Sequence, residues 1–397
     1  MTALLLMHYT ATSGLGRGCA ATLAALEAGR SALQPCRFGT AQLDTQVAQI
    51  EGLSQVRLPA PLQAYDCRNN RLAQLALEQD GFDARVRDRA GHWGARRVGV
   101  FIGTSTSGIL QTEIAYRRRD ARTGALPPGF DYQHTHNAFS VTDFVRRRLD
   151  LAGPAVTVCT ACSSSAKVFP AAQRMISAGL IDAAVVGGVD SLCLTTLYGF
   201  HSLQLTAPGP CRPFDAGRDG LSIGEAAAFV LLERSPDSAD AADILLLGAG
   251  ESSDAHHMSS PHPDGRGAAS AMQAALTAAG TAPEAVDYIN LHGTGTPGND
   301  SAESRAVGAL FGSSTPCSST KGATGHTLAA AGALEAVISA LALRTGLMPG
   351  GLHTRQLDPS LPLNYLLDNR HARIERVLSN SFGFGGANCA LLLARAD

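Results

Sequence analysis

The chain has little charge, few aromatics and no obvious route through a bilayer. Of its 397 residues 17% are charged, 5% are aromatic, and one is tryptophan. With 45% hydrophobic residues, that composition excludes a disordered chain or a coiled coil. No stretch reaches the roughly 18 to 20 consecutive apolar residues of a membrane span. The opening MTALLLMHYTATSGLG has no basic leader and runs into glycine, so it reads as a buried strand and turn, not a signal peptide. Neither sign of charge dominates: Lys plus Arg number 32 and Asp plus Glu 34, which argues against a generally basic nucleic-acid binder. The nine cysteines are odd in number and irregularly spaced. They read as reduced thiols in the cytoplasm, not as a disulfide scaffold. There is no low-complexity tail and no short-period repeat.

What is present is an α/β pattern. Short apolar runs read as buried strands at Val98–Ile102, Ala155–Val158, Ala183–Val186, Ile244–Leu247 and Val377–Asn380. Ala-rich stretches read as helices at Lys167–Ala178, Ala268–Ala279, Ala302–Phe311 and Leu328–Arg344. The polar segment Glu233–Asp243 reads as the junction of two halves, 1–240 and 241–397.

Chemistry in such folds collects at the carboxyl ends of strands, and four turns lie there. In VTVCTACSSSAK a strand ends near Cys159 and serines open a helix, which Pro170 should kink. Cys162 would then face a positive helix end that favours thiolate, making it a candidate nucleophile. Cys159 and Cys162 form a C-x-x-C, but no second pair at matching spacing supports zinc.

In VDYINLHGTGTPGND, Asn290 and His292 share one face of a strand, with His292 at its end. The glycines satisfy G-x-G-x-x-G, yet no acidic residue follows at the distance a dinucleotide site needs. In STKGATGHTLAAAGALE, His326 would occupy the first turn of a long helix and stay neutral, able to donate to an oxyanion. LSNSFGFGGAN allows close backbone approach to a ligand and a mobile gate plugged by Phe382 and Phe384. GTSTSG at Gly103–Gly108 misses the spacing of a hydrolase nucleophile elbow. His256, His257 and His262 sit in a loop without the helical spacing of a metal pair.

Together the motifs TACSSSA, CRPFDAGRDG, SDAHHMSSPHPDG, NLHGTGTPGND, STKGATGHT and NSFGFGGAN resemble, in order, the elongating β-ketoacyl-[acyl carrier protein] synthase family. The resemblance covers nearly the whole chain. It implies a thiolase fold: two similar halves in a five-layer αβαβα sandwich, homodimeric or paired with a ketosynthase-like subunit. It implies acyl transfer to Cys162, decarboxylation of malonyl-carrier protein aided by His292 and His326, and no redox cofactor. Lys321 and Glu303 match a supporting ion pair, and the Cys162 and Phe384 amides an oxyanion hole. Thr294 and Thr296 match residues that hold the pantetheine arm. A structural monovalent cation in some members would fall on Asn290, Glu335, Ser379 and Asn380. Acidic carrier proteins need a basic surface, for which Arg68, Arg71, Arg212 and the Arg117–Arg119 run are candidates.

Ala329 and Ala226 stand where glycine is usual in the family, and Cys159 is not the commonest residue before TAC. These departures imply a divergent branch and not the housekeeping fatty-acid enzyme, and the GLSIGEAA and HHMSSPHP variants resemble synthases of bacterial aryl-polyene pathways. The acyl pocket is expected to be shaped by the Gly103–Ile109 turn and by residues of a partner subunit. The alternative is a non-catalytic chain-length-factor subunit, although such subunits lack the cysteine present here as Cys162.

Overall fold

The computed structural model describes residues 3–235, 240 and 243–396. Two halves repeat one topology. The N-terminal half orders its strands Leu4–Ser13, Ala226–Arg234, Ala183–Asp190, Val98–Gly103 and Ala155–Val158. The C-terminal half orders Ile244–Ser253, Ala387–Arg395, Arg376–Gly383, Tyr288–Asn290 and Pro316–Ser318. In each half the first two pairings are antiparallel and the next two parallel. The halves join where Leu4 and Leu5 pair with Leu246 and Leu245. The repeat thus restarts at Ile244, and part of the segment read as the junction (236–239 and 241–242) lies outside the described residues.

Helices flank both faces of the strands, so the strands are apolar on both faces and read as continuous runs. Every residue of Ala183–Asp190 is buried. The middle layer is the helix pair Ser164–Ser177 and Ala331–Thr345, packed on each other and on strands of both halves. Arg68–Leu77 and Phe139–Arg148 cover the outside of the first half, and Arg266–Ala279 and Pro297–Phe311 that of the second. This is the five-layer αβαβα arrangement. The central helices approach closely at Gly332, where an added Cβ would lie 2.6 Å from the Ala166 amide nitrogen.

Three expectations need correction. The segment Leu328–Thr345 is 18 residues long and apolar enough to cross a membrane by composition, but 89% of it is buried inside the protein as a central helix. The helix after Cys162 starts at Ser164, three residues earlier than predicted. It also runs on through Pro170, which removes the hydrogen bond that the Ala166 carbonyl would otherwise accept.

Candidate active site

The duplicated topology brings four strand ends together. Cys162 follows Ala155–Val158 and His326 follows its counterpart Pro316–Ser318; His292 follows Tyr288–Asn290, and the Gly383–Gly386 loop follows Arg376–Gly383. His326 Nε2 lies 3.0 Å from Cys162 Sγ. The two imidazole rings meet edge to face, with centroids 5.3 Å apart. One donor atom from each of Cys162, His292 and His326 lies within 4.8 Å of the others, and all three residues are buried.

The turn that presents the sulfur is strained at Ala161, with φ of 52°. The serines stabilise this turn instead of capping the helix. The Ser163 hydroxyl donates to the Thr160 carbonyl at 2.9 Å, and that of Ser164 to the Ala161 carbonyl at 2.6 Å. The expected thiolate is not the resting form. Burial pushes the Cys162 thiol up to about 11, outweighing the opposing pull of Lys321 and of the Phe384 amide. Asp190 adds to the rise, while the amide of Cys162 itself opposes it.

Both histidines are held neutral. Burial lowers His292 and His326 well below the ordinary imidazole range, and the Lys321 charge lowers both further. His326 is neutral for a different reason from the one its sequence suggested. It precedes the 3-10 turn Leu328–Ala330 and the helix Ala331–Thr345, with Leu328 left-handed at φ 53°, so it is not in the helix's first turn. Its Nδ1 has no hydrogen-bond partner among the described residues, so nothing there fixes which nitrogen carries the proton. His292 differs: its Nδ1 faces Lys321 Nζ at 3.5 Å, which leaves the proton on Nε2.

Lys321, one of only two lysines in the chain, is ion-paired, but not with Glu303. Its partner is Glu335, and both side chains are buried. Glu303 instead accepts the backbone N–H groups of His292 and Gly293, each at 2.7 Å, and so shapes the His292 loop. Burial raises Glu303 and Glu335 to about 7. The sequence could not distinguish the two glutamates, because partner choice depends on which strand end faces Lys321.

A cavity of about 230 Å³ opens from the sulfur. Cys162, His292, His326, Phe382 and Phe384 line it, as do Thr294 and Thr296, whose hydroxyls are 2.8 Å apart. Phe200, Leu205 and Leu221 form an apolar wall that sequence reading missed, and the Phe200 ring meets Phe384 at 5.5 Å. The Gly103–Ile109 turn is not among the lining residues. Gly385 and Gly386, with φ of 76° and 74°, give the loop carrying Phe384 a left-handed path that suits glycine.

The residues matched to a monovalent cation fit one. Asn290 Oδ1, Glu335 Oε2, Ser379 Oγ and Asn380 Oδ1 are buried oxygens with no hydrogen-bond partner among the described residues, and Asn290 pairs with Ser379 across parallel strands. Such oxygens are hard ligands. The Cys162–His292–His326 donors fit a divalent metal poorly, because Lys321 places positive charge behind His292 and no carboxylate among the described residues backs His326 Nδ1.

The arginines expected to dock a carrier protein divide. Arg68 is spent on buried Glu225 at 2.5 Å, with its side chain 14% exposed. Arg71 is held by Asp66 at 2.5 Å, and Arg212 faces Asp219 at 3.2 Å. Arg117, Arg118 and Arg119 are exposed, with no ion pair to a carboxylate among the described residues.

Residues 69–238 match the family model for the β-ketoacyl synthase N-terminal domain, and residues 244–355 the one for its C-terminal domain. The 3-oxoacyl-[acyl-carrier-protein] synthase 2 of Coxiella burnetii is 34% identical, covering 96% of each chain. The Rhizobium meliloti protein of that name is 39% identical over 75% of this chain and 74% of its own. Among solved structures, the ketosynthase ApeO of Xenorhabdus doucetiae, in complex with its chain length factor ApeC, superposes with a TM-score of 0.90. It is 37% identical, over 100% of this chain and 98% of its own. A β-ketoacyl synthase from Burkholderia phymatum gives 0.87 at 29% identity over 100% of both chains. With a buried cysteine and two neutral imidazoles at the joined strand ends of a doubled α/β scaffold, the chain belongs to the β-ketoacyl synthase family of condensing enzymes.

Proposed function

We propose that Cys162, His292 and His326 carry out decarboxylative condensation of an acyl group with malonyl-acyl carrier protein. The observation that carries this reading is the 3.0 Å separation of Cys162 Sγ and His326 Nε2 inside a cavity bordered by the second, neutral imidazole.

In the first step Sγ bonds to the acyl carbon and the carrier thioester C–S bond breaks. The Sγ proton passes to His326 Nε2 and on to the departing thiolate, so no net charge stays on the buried ring. The Cys162 and Phe384 amides hold the oxyanion. A malonyl thioester then loses carbon dioxide, and the electron pair of the broken C–C bond forms an enolate. The Nε2–H of His292, and of His326 in its other tautomer, donate to the enolate oxygen. The enolate carbon attacks the acyl group, releasing Sγ, which regains a proton from solvent. Thr294 and Thr296 hold the pantetheine arm. Asn290, Glu335, Ser379 and Asn380 would hold a monovalent cation, whose charge would offset buried carboxylate.

The partner is an acyl carrier protein docking at Arg117, Arg118 and Arg119, whose helix Ile109–Arg117 packs on Leu194–Ser202, the helix of Phe200. The edge strand Ala155–Val158, with Val156 exposed, is the face proposed to pair with a homologous subunit; the similar ketosynthase ApeO is in complex with its chain length factor. The proposed pathway is specialised and aryl-polyene-like, in a reducing, cytoplasmic setting that suits nine unpaired cysteines. Intact-mass measurement with a panel of acyl-carrier proteins tests the reading: one acyl adduct should accumulate on wild type and none on Cys162→Ala. An adduct on the variant refutes the assignment.

A further inference from the structure

The Gly103–Gly108 turn lines no part of the cavity that holds Cys162, yet two of its hydroxyls and two of its amides converge on one buried carboxylate. Asp190 closes the strand Ala183–Asp190 and is fully buried. Its Oδ1 accepts from Thr104 Oγ1 and Ser105 N at 2.8 Å, and from Thr106 N and Thr106 Oγ1 at 2.9 Å. Its Oδ2 accepts the Ala329 amide at 2.8 Å. Ala329 stands three residues after His326, across the left-handed Leu328. The peptide of His326 is itself fixed upstream, donating to the Ser222 carbonyl at 2.7 Å and accepting from Gly224 N at 2.9 Å. Ala329 is thus the downstream anchor of the His326 segment.

The start of the nucleophile helix is wedged beside this node. An added Cβ at Gly103 would come 2.4 Å from the Ser165 nitrogen. One at Gly188 would come 2.4 Å from Ser165 Cβ and 2.9 Å from Ala330 Cα. Two segments, the Gly103–Gly108 turn and the chain leaving His326, are therefore tied to one side chain, and the helix after Cys162 packs at Ser165 against Gly103 and Gly188 beside it.

We propose that Asp190 is a positioning residue, holding the His326 segment at the distance from Cys162 that the reaction needs. This rests on the reading of His326 as an enolate donor. A carboxylate suits the task because all five donors are N–H or O–H groups, and an apolar side chain would leave the Ser105, Thr106 and Ala329 amides unpaired in a dry interior. The charge has a second consequence, since it opposes ionisation of the Cys162 thiol. Asp190 therefore acts on the two partners in opposite senses, aligning the imidazole while holding back the thiolate.

The test uses full-length Asp190→Asn, His326→Ala and the double variant. Its readouts are malonyl-carrier decarboxylation and iodoacetamide alkylation of Cys162. Asp190→Asn should lower the decarboxylation kcat about 100-fold, the scale of a slight misalignment, with KM nearly unchanged. Alkylation should become faster, because the opposing charge is gone. The double variant should be no slower than His326→Ala, since Asp190 acts through that ring. Additive losses in the double variant overturn the proposal, as does alkylation that slows together with kcat. Normal decarboxylation by His326→Ala is a separate outcome that refutes the donor reading itself. If Asp190→Asn does not fold, Thr106→Val removes one donor. Its smaller loss must vanish in the His326→Ala background, and a loss that persists there overturns the proposal.

Discussion

Replacing Lys321 by methionine separates the structural work of the buried ion pair from its chemical work. Both Lys321 and Glu335 are buried, so losing the ammonium leaves a carboxylate with no counter-charge. Removing one partner of such a pair typically costs about 3–5 kcal/mol, unless the survivor takes up a proton. Glu335 already sits near 7, raised by burial, and without Lys321 it rises further. Its folded value is above its unfolded one, so folding favours the protonated form. That contribution is intact below the unfolded value and is lost as pH climbs toward the folded value. Lys321→Met should therefore be close to wild type in stability at pH 5.5. By pH 8 it should fall behind at roughly 1 kcal/mol per pH unit, read by urea unfolding at each pH.

The double variant Lys321→Met/Glu335→Met removes both charges and should regain most of the stability at pH 8. It should not regain decarboxylation, because His292 Nδ1 loses the neighbour that keeps its proton on Nε2. A double variant that recovers both properties would refute the argument. So would a Lys321→Met deficit that is the same at pH 5.5 and pH 8.

His326→Ala should slow decarboxylation by about 10²–10³-fold, the usual cost of one oxyanion donor, measured as carbon dioxide release from malonyl-carrier protein. Alkylation of Cys162 by iodoacetamide should rise about tenfold per pH unit from 7 to 9, as for a thiol near 11; a plateau below pH 8 would mean a resting thiolate. Burial raises Cys67, Cys162, Cys193 and Cys211 to about 11 or 12, so the unfolded chain ionises first and the melting temperature should drop above pH 9. Reversing Arg117, Arg118 and Arg119 to glutamate should weaken carrier-protein binding and flatten its salt dependence, measured by titration calorimetry.

Much of this site could be read from sequence, because chemistry at strand ends is written in short local motifs. Cys162, His292, His326 and the Phe384 loop were each visible in this way, and the strand at Ala155–Val158 falls within its predicted bounds. Long-range pairing was not legible. Glu303 and Glu335 are both acidic residues on helices, and only the approach of their helices to Lys321 decides which becomes its partner. Arg68 looked free in DCRNNR, yet folding brings Glu225 against it from 157 residues away. The thiol's protonation is hidden from local sequence for a similar reason. A helix start can be seen locally, but the depth of burial that overrides it belongs to the assembled layers. Asp190 has no sequence signature, because an acidic residue after a run of valines and glycines carries no motif.

The close passage of the two middle helices at Gly332 bears on the reaction. One helix leads away from the sulfur and the other lies downstream of the imidazole. In the proposed mechanism, the thickness of a single hydrogen atom between Gly332 and Ala166 would therefore work as a shim between the helices that flank the two reacting atoms. A bulkier side chain here would spread the nucleophile from its proton acceptor, and a remote packing contact would become a control on bond-making.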